Sequence, residues 1–150
     1  MSYVDVVLRN LRRSFGLYDE LVATLPAAAL GQCLPQLRSN SIGQQLWCVV
    51  GARESYVAAF ERGGEWAGFS CSLSWEACES TAAVGAALQA SSAAAMETLE
   101  GRPEWSEPQQ QTVCDLMEHE AQHHGQLVRY LYALNLPIPP GWQERYALQP

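Results

Sequence analysis

The sequence predicts an all-α fold: a single four-helix-bundle domain over residues 1–150, with a short C-terminal helical turn. Three observations carry that prediction. Four long segments repeat apolar residues at steps of three and four, the period of one helix face. Clusters of Pro, Gly and Ser separate them. No stretch alternates apolar and polar residues convincingly, as a half-buried strand does.

The first segment runs from about residue 3 to residue 25, with Val4, Leu8, Leu11, Phe15, Tyr18, Val22 and Leu25 on one stripe. Pro26 ends it, and residues 27–38, holding Gly31 and Pro35, read as a connection. The second helix is expected to start at Ser39, Asn40 or Ser41, all good caps. Gly63 and Gly64 stop it after about Arg62. Ile42, Leu46, Val49, Tyr56 and Phe60 form its main stripe. Gln44, Gln45, Cys48, Ala52 and Ser55 form a more polar strip beside it, suited to line a cleft.

Residues 65–73 read as a loop over one end of the bundle. The third helix is expected from about Ser74, a possible cap, to Leu99, and its Ala and Ser content permits close packing. Residues 101–106 break the pattern, and Pro108 fits the first turn of the fourth helix. That helix runs to about Leu134, with Val113, Leu116, Glu120, His123, Leu127, Tyr130 and Leu134 on one stripe. Residues 136–140 are extended by their prolines. Residues 142–147 form a final turn that packs back on the bundle.

Composition narrows the function. Charged residues make up 17% of the chain, below the roughly 25% usual in globular domains. A chain this apolar has surface for self-association. The net charge of -7 repels phosphate backbones, so nucleic acid is an unsuitable partner. Arg9, Arg12 and Arg13 read as a solvated helix face. The N-terminus does not resemble a signal peptide, and no apolar run reaches the length of a membrane span. No membrane partner is expected, and the expected location is cytoplasmic. Cys33, Cys48, Cys71, Cys78 and Cys114 are odd in number and irregularly spaced, which argues for thiols rather than a disulfide framework.

All three histidines fall within HEAQHH, residues 119–124. His119 and His123 are four apart, so on a helix they lie one turn apart on one face, where two imidazoles can share a cation. His123 is on the apolar stripe and His119 borders it. The alternative is that both only hydrogen-bond within the core, and spacing alone does not separate the two readings. His124 points roughly 140° away from His119 and is expected at the surface or an interface. Residues 119–123 formally match H-E-x-x-H, but no further protease signature accompanies the match.

The segments NSIGQQLWCVVGARESY (residues 40–56) and DLMEHEAQHHGQLVRYLYAL (115–134), with the tail LPIPPGWQERYAL, resemble the DinB-like, or YfiT-like, family. The resemblance covers most of the chain. It implies a four-helix bundle of up-down-down-up order and, in many members, a divalent metal, zinc or nickel, held by three histidines. Two of these map onto His119 and His123. The third maps onto Cys48. Members are often dimers, which implies a homodimer here; some are transferases of low-molecular-weight thiols, and some are isomerases or hydrolases.

Cys48 in place of His leaves two readings. A thiolate is a good zinc ligand, and a His2Cys set with an open position is a known catalytic arrangement. Cys is also shorter than His by about one ring, so the site could have decayed, with Cys48 a packing residue. The functional expectation is a metal-dependent thiol transferase or hydrolase acting on a small molecule. The competing reading is a non-catalytic dimeric module with a degenerate metal site. A redox-sensing role for Cys48 or Cys71 ranks below both, because no CxxC or basic neighbour activates either thiol. Glu120 reads as a base, a support for the site or an ordinary helical carboxylate. Arg53 could pair with Glu120 or hold an anion. Glu54 reads as solvated or at an interface. Gln44 and Gln45 are candidates to reach the cleft, and Trp47, Tyr56 and Tyr130 read as core.

Overall fold

A computed structural model describes residues 2–149. Among the described residues there are five α-helices and no strand: α1 (Tyr3–Thr24), α2 (Ile42–Glu61), α3 (Thr81–Glu100), α4 (Glu107–Ala133) and the short α5 (Pro140–Tyr146). The all-α helical bundle expected from periodicity is observed. No helix among the described residues is long and apolar enough to cross a membrane.

The helix starts follow from local chemistry. Of the three candidate caps of α2, Ser41 is used. It is the one with Gln three residues later, and Gln44 completes a capping box: Ser41 Oγ accepts from Gln44 N at 3.2 Å, and Gln44 Oε1 accepts from Ser41 N at 2.9 Å. Ser2 with Asp5 and Ser106 with Gln109 do the same for α1 and α4. Gly63 and Gly64, with φ of 76° and 102°, terminate α2 where expected.

Two expectations are corrected. The third helix starts at Thr81, not near Ser74: Ser80 is the cap, and Ser74 makes no side-chain cap bond. Residues Trp75–Ala77 instead form a 3-10 turn, and the Cys78 carbonyl lies against Gly43, where a β-carbon would sit 1.9 Å from its oxygen. The chain is thus held on the first turn of α2 before α3 can begin. The loop at residues 65–73, expected over one end of the bundle, runs along the flank of α2. Ser55 Oγ accepts from Ser70 N at 2.9 Å, Glu54 accepts from Ser72 N at 2.7 Å, and Trp47 Nε1 donates to the Leu73 carbonyl at 2.8 Å. Glu54 is therefore a tether for this loop. At Gly51 the loop comes so close that a β-carbon would lie 2.2 Å from the Phe69 ring.

Helix α1 packs on α3, α2 packs on both α3 and α4, and α5 folds back on α1. The core has two apolar clusters. One contains Tyr18, Leu21, Leu46, Val50, Leu88, Leu127, Tyr130 and Trp142. The other contains Leu11, Phe15, Phe60, Leu99, Trp105 and Leu116. Arg53 and Glu120 sit where the clusters meet, with side chains 0% and 1% exposed. Arg53 Nε and Nη2 donate to Glu120 Oε1 and Oε2 at 2.7 and 3.0 Å, and its Nη1 donates to Ser92 Oγ at 2.8 Å. The Phe15 ring lies 4.2 Å beneath the guanidinium. Ser14 Oγ donates to Glu120 Oε2 at 3.1 Å, and Tyr18 OH donates to the Glu120 carbonyl at 2.8 Å. The pairing left open by the sequence is settled: Arg53 holds Glu120, and neither is free for a ligand.

Candidate metal centre

Helix α4 carries His119 and His123 one turn apart, their ring centroids separated by 4.5 Å. Helix α2 brings Cys48 to the same place. Its Sγ lies 3.6 Å from His119 Nε2. One donor atom from each of Cys48, His119 and His123 lies within 4.8 Å of the others, so the three form a group that could hold a metal ion. Cys48 and His119 are half-buried and His123 is buried.

The donor set fits a zinc-like cation. Zn–S bonds of about 2.3 Å and Zn–N bonds of about 2.1 Å at a tetrahedral angle place sulfur and nitrogen about 3.6 Å apart. That equals the Sγ–Nε2 separation, so the shorter reach of Cys does not by itself remove it from the site. Gln45, one turn before Cys48, fixes the other imidazole. Its Oε1 is 2.6 Å from His123 Nδ1. A carbonyl oxygen can only accept, so Nδ1 carries the hydrogen and Nε2 keeps its lone pair. His119 Nδ1 is buried with no partner among the described residues, so this ring lacks the outer support that His123 has.

Electrostatics keep the cluster uncharged without a cation. Burial lowers the His119 pKa, with Glu120 and Arg53 acting in opposite directions. Burial, then the neighbouring His119, lowers His123 to about 4. Burial raises the Cys48 thiol and pushes Cys71 to about 11. Cys48 and His119 are therefore a neutral thiol and a neutral imidazole. Burial disfavours the ion pair that an activated cysteine dyad needs, whereas the spacing of the three donors suits a ligand set. All five cysteines are free thiols.

The other candidates divide cleanly. Gln44 is used up in the cap of α2. Tyr130 is core, its hydroxyl donating to the Asn40 carbonyl. Tyr56 and Trp47 are half-buried. Tyr56 lies beside the centre, 6.3 Å from the His119 ring by centroids, and the tilted Trp66 ring packs on it at 5.1 Å. The expectation for His124 is corrected: it is 2% exposed, packed between Tyr18 and Trp142 at 4.3 and 4.9 Å. Helix α4 is covered on that face by α1 and α5, so a position about 140° from His119 is inside the protein.

No protein-family model matches the chain, and no curated protein matches it.

Proposed function

We propose that this chain is a DinB-like, metal-dependent protein that holds one divalent cation, zinc or nickel, through Cys48, His119 and His123. The observation that carries this reading is the convergence of one thiol and two imidazoles from two helices, with the Sγ–Nε2 spacing of 3.6 Å. Contact order along the helices is consistent with the up-down-down-up arrangement of that family. Tyr3 meets Cys114 and Tyr18 meets Glu120, which runs α1 alongside α4; Gln45 meets His123 and Phe60 meets Gln109, which runs α2 against α4. Arg12 meets Glu100 and Val22 lies beside Gly85, which runs α1 against α3.

A cation so held would supply Lewis acidity and favour the thiolate of an incoming low-molecular-weight thiol, or activate water, near neutral pH. The protein's own contribution is positioning. Gln45 sets the His123 tautomer, and the buried Arg53–Glu120 pair fixes the turn of α4 between the two ligands. Tyr56 and Trp66 form an aromatic wall for a small-molecule substrate. The homodimer expected from the resemblance belongs to this reading, and a clean monomer by light scattering would remove it.

The test is elemental analysis of tag-free protein after supplementation with zinc or nickel. Wild type should retain about one equivalent, and His119→Ala or His123→Ala should lose affinity by more than about 100-fold, the upper range for outer-shell losses. If wild type stays at background and Cys48→His alone acquires metal, the site is degenerate and the non-catalytic module is the correct description. The pH dependence adds a second readout. Both imidazoles are already neutral at pH 7, so the Cys48 proton is the one released on binding. Zinc affinity should rise about tenfold per pH unit between about pH 7 and 8, and Cys48→His should flatten that slope.

A further inference from the structure

A pocket of about 110 Å³ lies between α1, α4 and α5, on a different face of α4 from the candidate metal centre. That is room for a few waters or one small molecule. Its charge runs against the rest of the chain. Arg13 and Arg145 line it and no carboxylate does, in a protein whose net charge is -7. Glu120, the carboxylate nearest in the core, is committed to Arg53. Arg13 bonds only the neutral Asn10 oxygen, which leaves its charge uncompensated.

The inner wall carries an unsatisfied polar atom. His124 is 2% exposed. Its Nδ1 is hydrogen-bonded to Tyr146 OH, and its Nε2 has no hydrogen-bond partner among the described residues. The Ser14 carbonyl lies near the ring but outside hydrogen-bond geometry. A neutral imidazole has one N–H and one lone pair. When Tyr146 OH donates to Nδ1, the single N–H is on Nε2. A buried donor without an acceptor costs about 1–3 kcal/mol, and an acceptor in the pocket would relieve it. Leu17 and Met117 add apolar wall beside these groups.

We propose that this pocket binds a small carboxylate, its head held by Arg13, Arg145 and the Nε2 hydrogen of His124, its apolar body against Leu17 and Met117. Two guanidiniums with one neutral donor suit a planar anion. The apolar wall selects an organic acid over a bare inorganic ion. The site is independent of the candidate metal centre, because His124 points away from His119 and His123 around α4.

The probe is benzoate, titrated into the full chain at pH 7 by calorimetry and by amide NMR. Benzoate should saturate one site per chain, with shifts concentrated in residues 10–17, 117–124 and 141–147. Benzyl alcohol, with the same body and no charge, should bind at least about tenfold more weakly, the loss of roughly one charge-assisted bond. Inorganic phosphate should also bind more weakly than benzoate. The exposed changes Arg13→Gln and Arg145→Gln together should weaken benzoate at least about tenfold while leaving the circular dichroism unchanged. Tyr146→Phe should weaken it less, by freeing the tautomer. Cys48→Ala should leave benzoate affinity unchanged, which separates this site from the metal reading. No saturable benzoate binding in the millimolar range, equal binding of benzyl alcohol or phosphate, or indifference to the double arginine change would each overturn the proposal.

Discussion

Glu120→Ala is expected to destabilise the fold by about 3–5 kcal/mol, the range for removing one partner of a buried ion pair. The cause is Arg53. Its side chain is 0% exposed, and removing the carboxylate leaves two guanidinium donors and a full charge without compensation. The charge cannot escape to water, because Phe15, Tyr18 and Leu88 close around it. For a domain of this size the loss corresponds to a fall in Tm of about 10 °C. The double variant Arg53→Met, Glu120→Leu should recover most of the loss, since a buried pair is roughly matched by apolar groups of similar volume. Urea titration of both variants checks this. A Glu120→Ala chain within about 1 kcal/mol of wild type would show that the pair does not hold the bundle centre.

Trp142→Ala is expected to cost about 3–5 kcal/mol, as large-to-small changes at filled core positions do. Trp142 is 0% exposed although it belongs to a helix of seven residues. Its Nε1 donates to the Leu17 carbonyl at 2.6 Å, and its ring meets Tyr18 and His124 edge-on. A helix of that length has no stability of its own, so this side chain fixes it to the bundle. The denaturant slope separates two outcomes. Release of α5 alone lowers the slope, because less surface remains to be exposed on unfolding. Loss of a well-filled core site leaves the slope unchanged. An unaltered midpoint would refute the anchoring role.

The bundle was legible where one residue type answers one physical demand. The stripes of α1 and α4 mark buried faces, and the run of good caps from Ser39 to Ser41 places the start of α2 within three residues. The start of α3 was not legible, because Ser74 and Ser80 are equally good caps by composition. The choice is made by the contact of Cys78 with Gly43, far away in sequence. His124 was misplaced for a related reason. A helix wheel assumes one buried face, whereas α4 is enclosed on two, and the second cover comes from seven residues near the C-terminus. At the candidate centre, spacing located His119 and His123. The reach of Cys48 and the bond from Gln45 depend on the separation of α2 and α4, which no single helix encodes. Ser14 and Tyr146 gave no signal, since a hydroxyl beside an apolar stripe reads as tolerated rather than required, and Tyr18 was legible as a member of the α1 stripe but not as the donor to the Glu120 carbonyl.

The tryptophans are partitioned by the loop along α2. Trp66 and Trp75 are about half exposed, Trp47 packs against the tilted Phe69 ring and edge-on to Trp75, and Trp105 and Trp142 are buried at 6% and 0%. The first three lie on or against the segment that flanks Cys48, and the other two belong to the bundle interior. Intrinsic emission therefore divides into a red-edge component that follows the loop and a blue-edge component that follows the interior. Loading nickel, an open-shell ion, at Cys48 should quench the former and leave the latter untouched, whereas unfolding changes both. One cuvette measurement can thus tell a chain that has lost its cation from a chain that has lost its shape.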